Sequence, residues 1–358
     1  MPAMMHVDAT LFLLPLLAGV AALLLILVLT PFAEKMQWVD RPGQRKHHRE
    51  PVPMVGGLAI YLVMLAGFML FQPPEKLAWV LFGTTLLVVV GFLDDVLELG
   101  VKLRLFVQVV ATICVMVGAG LSVQAIGLSV VPFQELGVVG LIFTVFAVVG
   151  LTNAFNLVDG IDGLAAGHFL VGLGCLAGLQ LLTVGGLVQS EWFIVLFSAV
   201  FAFWLVNMSL TPLKPVFLGD AGSLLVGFTM SWVLIYMTQQ PVSAIEPVAA
   251  LWCVTLPVFD TLAVVWRRIR RGQSPFTPDR AHLHLRMVDR GIGPISSLTV
   301  ILAASVVINT FGIWLTYTAS PELGLAAYGA LFLVYVTMIA RDRACVDVST
   351  EVRAKTEA

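Results

Sequence analysis

The chain has 358 residues, 59% of them hydrophobic and only 12% charged, with a net charge of -2 and a mean hydropathy of +0.97. A soluble domain carries about 25% charged residues, so this composition excludes a soluble globular protein and points to an integral membrane protein. The four cysteines (Cys114, Cys175, Cys253 and Cys345) form no CxxC pair, which excludes a disulfide framework and a thiolate metal site.

Apolar runs close to the ~20 residues that span hydrocarbon recur from end to end. They are Ala9–Pro31, Met54–Phe71, Leu77–Leu93, Leu105–Val123, Val138–Thr152, Leu164–Leu182, Trp192–Leu210, Leu224–Thr238, Val248–Trp266, Ile295–Thr316 and Gly324–Ala340, eleven in all. The first has no Lys or Arg before it, is too long for a signal-peptide core and lacks a cleavage site of small residues. It reads as a retained helix. Leu128–Phe133 reads as a loop, a re-entrant piece or a short strand. The expected fold is therefore an all-α polytopic membrane protein, one domain over residues 1–340 with a short disordered tail over 341–358. No inverted internal repeat of the transporter kind is visible.

Orientation follows from the basic residues. One set of connections carries 19 of the 20 Lys and Arg, and only Lys76 lies on the other side. The positive-inside rule then puts the large loops and the C-terminus in the cytoplasm and the N-terminus outside. The acids on the outer connections are scattered singly. On the inner side they gather at the ends of apolar runs, as Asp94-Asp95, Asp159 with Asp162, Asp220 and Asp260.

Five polar stretches line this inner face. The loop from Arg41 to Arg49 includes Arg45-Lys46-His47-His48, followed by Pro51-x-Pro53 and Gly56-Gly57. The adjacent Asp94 and Asp95 repel one another unless a cation or basic group sits beside them; the bland alternative is a stop signal neutralised by Lys102 and Arg104. Asn153, Asn156, Asp159 and Asp162 step by three, so neighbours share a helix face. Their oxygens suit a hard cation, Mg²⁺ or Mn²⁺, that also meets substrate phosphates. Helix capping accounts for one or two of these four, not all, and is the reading kept for Asn153. Phe217-Leu218-Gly219-Asp220-Ala221-Gly222-Ser223 is a mere turn, or else a Gly-rich turn that offers backbone amides to phosphate while Asp220 holds a metal. Last, Ser274 to His284 carries Arg280, His282 and His284, the two histidines pointing the same way if the segment is extended. Both basic loops also serve as lipid-facing patches that set topology. Carboxylates, a metal-type site, basic donors and a membrane on one face suit a lipid phosphate meeting a nucleotide diphosphate.

Taken in order, these motifs resemble those of the polyprenyl-phosphate N-acetylhexosamine-1-phosphate transferases. The matching stretches are Arg45-Lys46-x-His48 with Pro51-x-Pro53 and Gly56-Gly57, Gly91-x-x-Asp94-Asp95, Asn153-Ala154-Phe155-Asn156-x-x-Asp159-Gly160-Ile161-Asp162-Gly163, Phe217-x-Gly219-Asp220-x-Gly222-Ser223 and Ser274-Pro275-Phe276-x-Pro278-Asp279-Arg280-x-His282-x-His284. The resemblance covers Asp40 to about Pro294 and is greatest to the bacterial branch that uses undecaprenyl phosphate and UDP-N-acetylglucosamine. It implies ten or eleven membrane helices around a cytoplasm-facing groove, and Mg²⁺-dependent attack of the lipid phosphate on the sugar nucleotide with release of UMP. By position it implies Asp94, Asp95 and Asp159 as catalytic residues, with Asp94 helping to deprotonate the acceptor. Asn156 and Asp220 become metal ligands. Lys46, His48, Asp162, Phe217, Arg280, His282 and His284 become substrate contacts, Phe217 by stacking on uridine. The site is expected in the bacterial inner membrane, with no nucleic-acid partner and room for a homodimer. One position departs from that branch: Leu285 stands where a further His is usual, which bears on the sugar. The same chemistry on another UDP-N-acetylhexosamine, or on UDP-N-acetylmuramoyl-pentapeptide, is the alternative, and an ion-coupled transporter is the distant one.

Overall fold

The computed structural model describes residues 10–41, 50–128, 136–184, 190–239, 245–274 and 281–341. In chain order the elements are α1 (Thr10–Met36), β1 (Val39–Asp40), β2 (Val52–Pro53), α2 (Gly56–Phe71), α3 (Glu75–Leu97), α4 (Val101–Ala119), α5 (Gly137–Val158), α6 (Leu164–Val184) and α7 (Ser190–Asn207). They continue with α8 (Gly219–Thr238), α9 (Pro247–Trp252), α10 (Thr255–Arg270), α11 (Leu283–Asp289), α12 (Pro294–Thr318) and α13 (Pro321–Arg341). All but one of the apolar runs form a continuous helix because a chain in hydrocarbon has to satisfy its backbone polar groups within itself. Eight of the described helices are long and apolar enough to cross a membrane, and Gly56–Phe71 and Glu191–Asn207 are shorter apolar helices. Hydroxyls inside the bundle bond back to the carbonyl four residues earlier, as Thr84 to Val80, Thr112 to Gln108 and Thr152 to Val148 do.

The run Val248–Trp266 is not one continuous helix. It breaks into α9 and α10 at Cys253-Val254. Pro257 has no N–H to give the carbonyl four residues before it, that of Cys253. Asn309 of α12 supplies the missing donor, its Nδ2 lying 3.2 Å from Cys253 O. A break at this depth persists because a neighbouring helix satisfies it.

Helix α8 is the centre of the bundle. Every residue from Ala221 to Met237 is buried, and α8 packs against α2, α3, α5, α6 and α9. At the end of the bundle where α8 starts, β1 and β2 form a two-residue antiparallel ladder. The strand β2 leads into a close docking: Phe217 N donates to Pro53 O at 2.9 Å, Gly56 N to Phe217 O at 3.0 Å and Gly57 N to Leu218 O at 3.0 Å. The Pro-x-Pro and Gly-Gly residues thus fasten α2 to the segment that precedes α8. Leu128–Phe133 lies outside the described residues except for Leu128, as does the tail beyond Arg341.

Candidate active site

The acids meet where α3 and α5 end and α8 begins. Asp94 and Asp95 lie in the last turn of α3, Asn153 and Asn156 in the last turns of α5, Asp159 caps α5, and Asp220 is in the first turn of α8. A helix C-terminus carries a partial negative charge, so the α3 and α5 acids oppose their own macrodipoles. Acids so placed need a cation, and the structure supplies one. Arg104 of α4 reaches Asp94 Oδ2 at 2.6 Å and Asp220 Oδ2 at 3.2 Å with a single nitrogen. It does more than neutralise the acidic pair: it joins α3 to α8.

Asp95 has a different task. Its Oδ1 accepts from Asp220 N at 2.8 Å and its Oδ2 from Ala221 N at 3.2 Å. These amides are among those an α-helix leaves without partners at its start. The carboxylate of α3 therefore caps α8 from outside, each charged bond contributing about 1.5–3 kcal/mol. Gly219 has φ +71°, and a Cβ there would come within 2.6 Å of the same carboxylate, so glycine is required on both counts. The expectation that these amides face phosphate is corrected by this contact, because Asp95 already takes them.

Asn156 donates from Nδ2 to Asp220 Oδ1 at 2.5 Å and to Ser223 Oγ at 2.9 Å, which makes the two expected metal residues direct neighbours. Asn153 is no cap. It lies inside α5 and donates to Gln108 Oε1 at 2.5 Å and Val149 O at 2.7 Å. Asp159 and Asp162 lie in the turn between α5 and α6, each with part of its surface exposed. The walls around the Asp159 carboxyl, and then the neighbouring Asp220, Asp162 and Asp95, push its pKa well above the ordinary carboxylate value. Among the described residues no three His, Cys, Asp or Glu close a metal cage. The donor set still fits a hard cation of the Mg²⁺ kind: it is all oxygen, it is crowded with negative charge, and a guanidinium already spans two of its members. An ion held mainly by one or two protein oxygens and substrate phosphates needs no closed cage.

The sequence reading missed the parts that hold this cluster together. Asn207, buried at the end of α7, accepts from Gly163 N at 2.6 Å and donates to Val216 O at 2.9 Å. It ties the acid turn to the segment before α8, and Trp204 adds a bond to Gly163 O at 3.1 Å. Both sit in an apolar run whose pattern gives no sign of this. Phe217 is half-buried on that segment. His282 and His284 are not in an extended strand; His282 caps α11 and His284 lies inside it, both buried. Their rings stack at 5.9 Å. His282 Nδ1 is 2.7 Å from Asp260 Oδ2, whereas His284 occupies the space beside Gly160 that a Cβ there would need. Lys46, His48 and Arg280 lie outside the described residues.

In sequence the chain is similar to known proteins. Glycosyl transferase family 4 matches residues 77–238, from the start of α3 to the end of α8. The chain is 37% identical over 316 residues to the undecaprenyl-phosphate α-N-acetylglucosaminyl 1-phosphate transferase of Yersinia pestis, covering 86% of each. It is 34% identical to the Escherichia coli K12 protein of that name, over 80% of this chain and 78% of the other. To the Haemophilus influenzae protein of that name it is 33% identical, over 89% and 91%. The chain belongs to glycosyl transferase family 4, and is a sugar-1-phosphate transferase of the polyprenyl-phosphate type that its motifs resemble.

Proposed function

We propose that the protein transfers N-acetylglucosamine-1-phosphate from UDP-N-acetylglucosamine to undecaprenyl phosphate, releasing UMP and starting a lipid-linked glycan. The observation that carries this reading is the cluster at one end of an apolar bundle in which Arg104 bridges Asp94 and Asp220, Asp95 and Asn156 bond to the Asp220 end of α8, and Asp159 faces the same charges. An oxygen of the lipid phosphate forms a bond to the sugar-linked phosphorus as the pyrophosphate bond to UMP breaks. Asp220 and Asn156 would hold Mg²⁺, which when bound would neutralise charge on the pyrophosphate. Asp94 takes the acceptor's proton. A phosphate monoester has a second pKa of about 6, so this service matters most below neutral pH. Arg104 balances charge between the acceptor side at Asp94 and the donor side at Asp220. Asp159 supports the pyrophosphate, Asp162 and Phe217 the nucleoside, and Arg280 the sugar and phosphates, with Lys46 and His48 on the nucleotide side; His284, buried behind Gly160, supports the turn that carries Asp159 and Asp162. A single direct displacement needs no covalent enzyme intermediate and is the simpler route.

The runs form eleven crossings, with the α9–α10 pair counted as one, the N-terminus outside and the site on the cytoplasmic face of the bacterial inner membrane. The basic residues support that orientation. The test is UMP release by purified protein given undecaprenyl phosphate and a panel of UDP-sugars. Release is expected with UDP-N-acetylglucosamine and Mg²⁺, and is lost with chelator and in Asp220→Asn. Full activity in folded Asp220→Asn would sink the metal assignment, and preference for another donor would sink the sugar.

A further inference from the structure

One buried polar network stands outside this cluster. Asp260 of α10 is almost fully buried, at 3% exposure, a costly place for a carboxylate unless it is fully hydrogen-bonded. Its two oxygens take three donors. Leu283 N and Tyr335 OH both bond Oδ1 at 2.9 Å, and the His282 ring bonds Oδ2 at 2.7 Å. Leu283 N is an amide at the start of α11, so Asp260 caps that helix from α10. A second tie runs alongside: Arg286 of α11 donates to Ile339 O at 3.0 Å, in the last turn of α13, where a cation also complements the helix dipole. The consecutive helices α10 and α11 are thus pinned to α13, which lies farther along the chain.

Apolar packing alone would hold α13 to α10, so adhesion does not require these groups. What three directed bonds add is a fixed rotation and height for α11. That matters because α11 carries His284 on the Gly160 turn, between Asp159 and Asp162. We infer that Asp260, His282 and Tyr335 are positioning residues, a latch through which α13 sets α11 so that His284 stands over the acid turn on the sugar-nucleotide side. The latch deepens the proposed function and rests on it for the identity of the ligand. His282 acts through Asp260, and His284, itself buried, packs on Gly160 and so sets the turn that carries Asp159 and Asp162. The acceptor side, built from α3, α4 and α8, does not depend on it.

The experiment compares the full-length wild type with Tyr335→Phe, which removes one of the three donors and nothing else. Loss of a single hydrogen bond predicts a KM for UDP-N-acetylglucosamine raised about three- to tenfold. The kcat and the KM for undecaprenyl phosphate should stay within about twofold. Amide hydrogen exchange over residues 283–289 should quicken, while α3 and α8 keep their wild-type protection. An unchanged donor KM overturns the latch, as does a kcat that falls along with both KM values. Should Tyr335→Phe fail to fold, Asp260→Asn, which retains Oδ1, carries the same split and the same refutation. If the wild type releases no UMP, the functional reading fails, and exchange in the variant then judges the latch alone: unchanged exchange over 283–289 overturns it.

Discussion

Gly91→Ala is the sharpest test of how the site is built, because it removes no chemical group. Gly91 lies on α3 one turn before Asp95, where the two helices touch backbone to backbone. A Cβ there would lie 2.6 Å from both Cα and N of Ala221 and 2.8 Å from the carbonyl carbon of Asp220. Ordinary contact begins at 3.4 Å, and the atoms in the way are backbone, which cannot rotate aside. The start of α8 must therefore move from α3 by about 0.8 Å, an overpacking of the sort that costs about 1–3 kcal/mol. That shift acts directly on Asp220 relative to Asp94 and Asp95. A misplacement of about 1 Å costs roughly 100-fold in rate, so kcat/KM should fall roughly 10- to 100-fold, or about 1.4–2.7 kcal/mol. The assay is UMP release by purified protein, with thermal unfolding in the same detergent to show that it is folded. Gly174→Ala is the control, since a Cβ there meets nothing within 4 Å. A folded Gly91→Ala protein with near wild-type turnover would refute the idea that this close approach sets the cluster.

Two further outcomes are expected. Asp95→Asn keeps one acceptor but turns an amide N–H₂ toward a backbone N–H, losing about 1.5–3 kcal/mol; Tm should drop and Mg²⁺ should stabilise the protein less, and wild-type values for both would contradict the capping role. The raised Asp159 carboxyl means that the folded state keeps a proton which the unfolded chain loses above about pH 4. Stability of the metal-free protein should then decline as pH rises above the ordinary carboxylate range, and excess Mg²⁺ should offset the decline increasingly toward the alkaline end. A metal-free Tm that climbs as pH rises above about 4 would rule that out.

Much of the bundle was legible because hydrocarbon imposes one backbone solution, so length and apolarity alone placed all of the long helices. What periodicity could not show was the break at Cys253-Val254, although Pro257 carried its cause in plain view. The site divided in the same way. Asp94, Asn156, Asp159 and Asp220 stand out because ionisable and amide groups are costly beside apolar runs, and the structure brings them together. The direction in which each points was not legible. Asp95 reads like Asp94 in sequence, yet one faces the Arg104 guanidinium and the other the α8 amides. Asn207 and Tyr335 had no signal at all, since a single polar residue in an apolar run says nothing about the loop or helix that it meets. Gly57 and Gly91 were read as motif members, and the structure gives them a common reason in their closeness to the first residues of α8.

The burial of α8 also bears on how the protein comes to exist. A helix with no lipid-facing side is a poor independent passenger in a bilayer, whatever its hydropathy. Among the described residues, the helices packed most closely on it are α2, α3, α5 and α6, which precede it in the chain, with α9 following. During synthesis, α8 therefore arrives at a half-finished socket and is sealed in by what emerges next. Its snug walls, such as the contact of Gly227 with the Thr152 backbone, make the socket selective for shape. Defects in the middle of α8 should thus be read first in biogenesis, as lower yield of inserted protein, with the molecules that do complete assembly turning over normally.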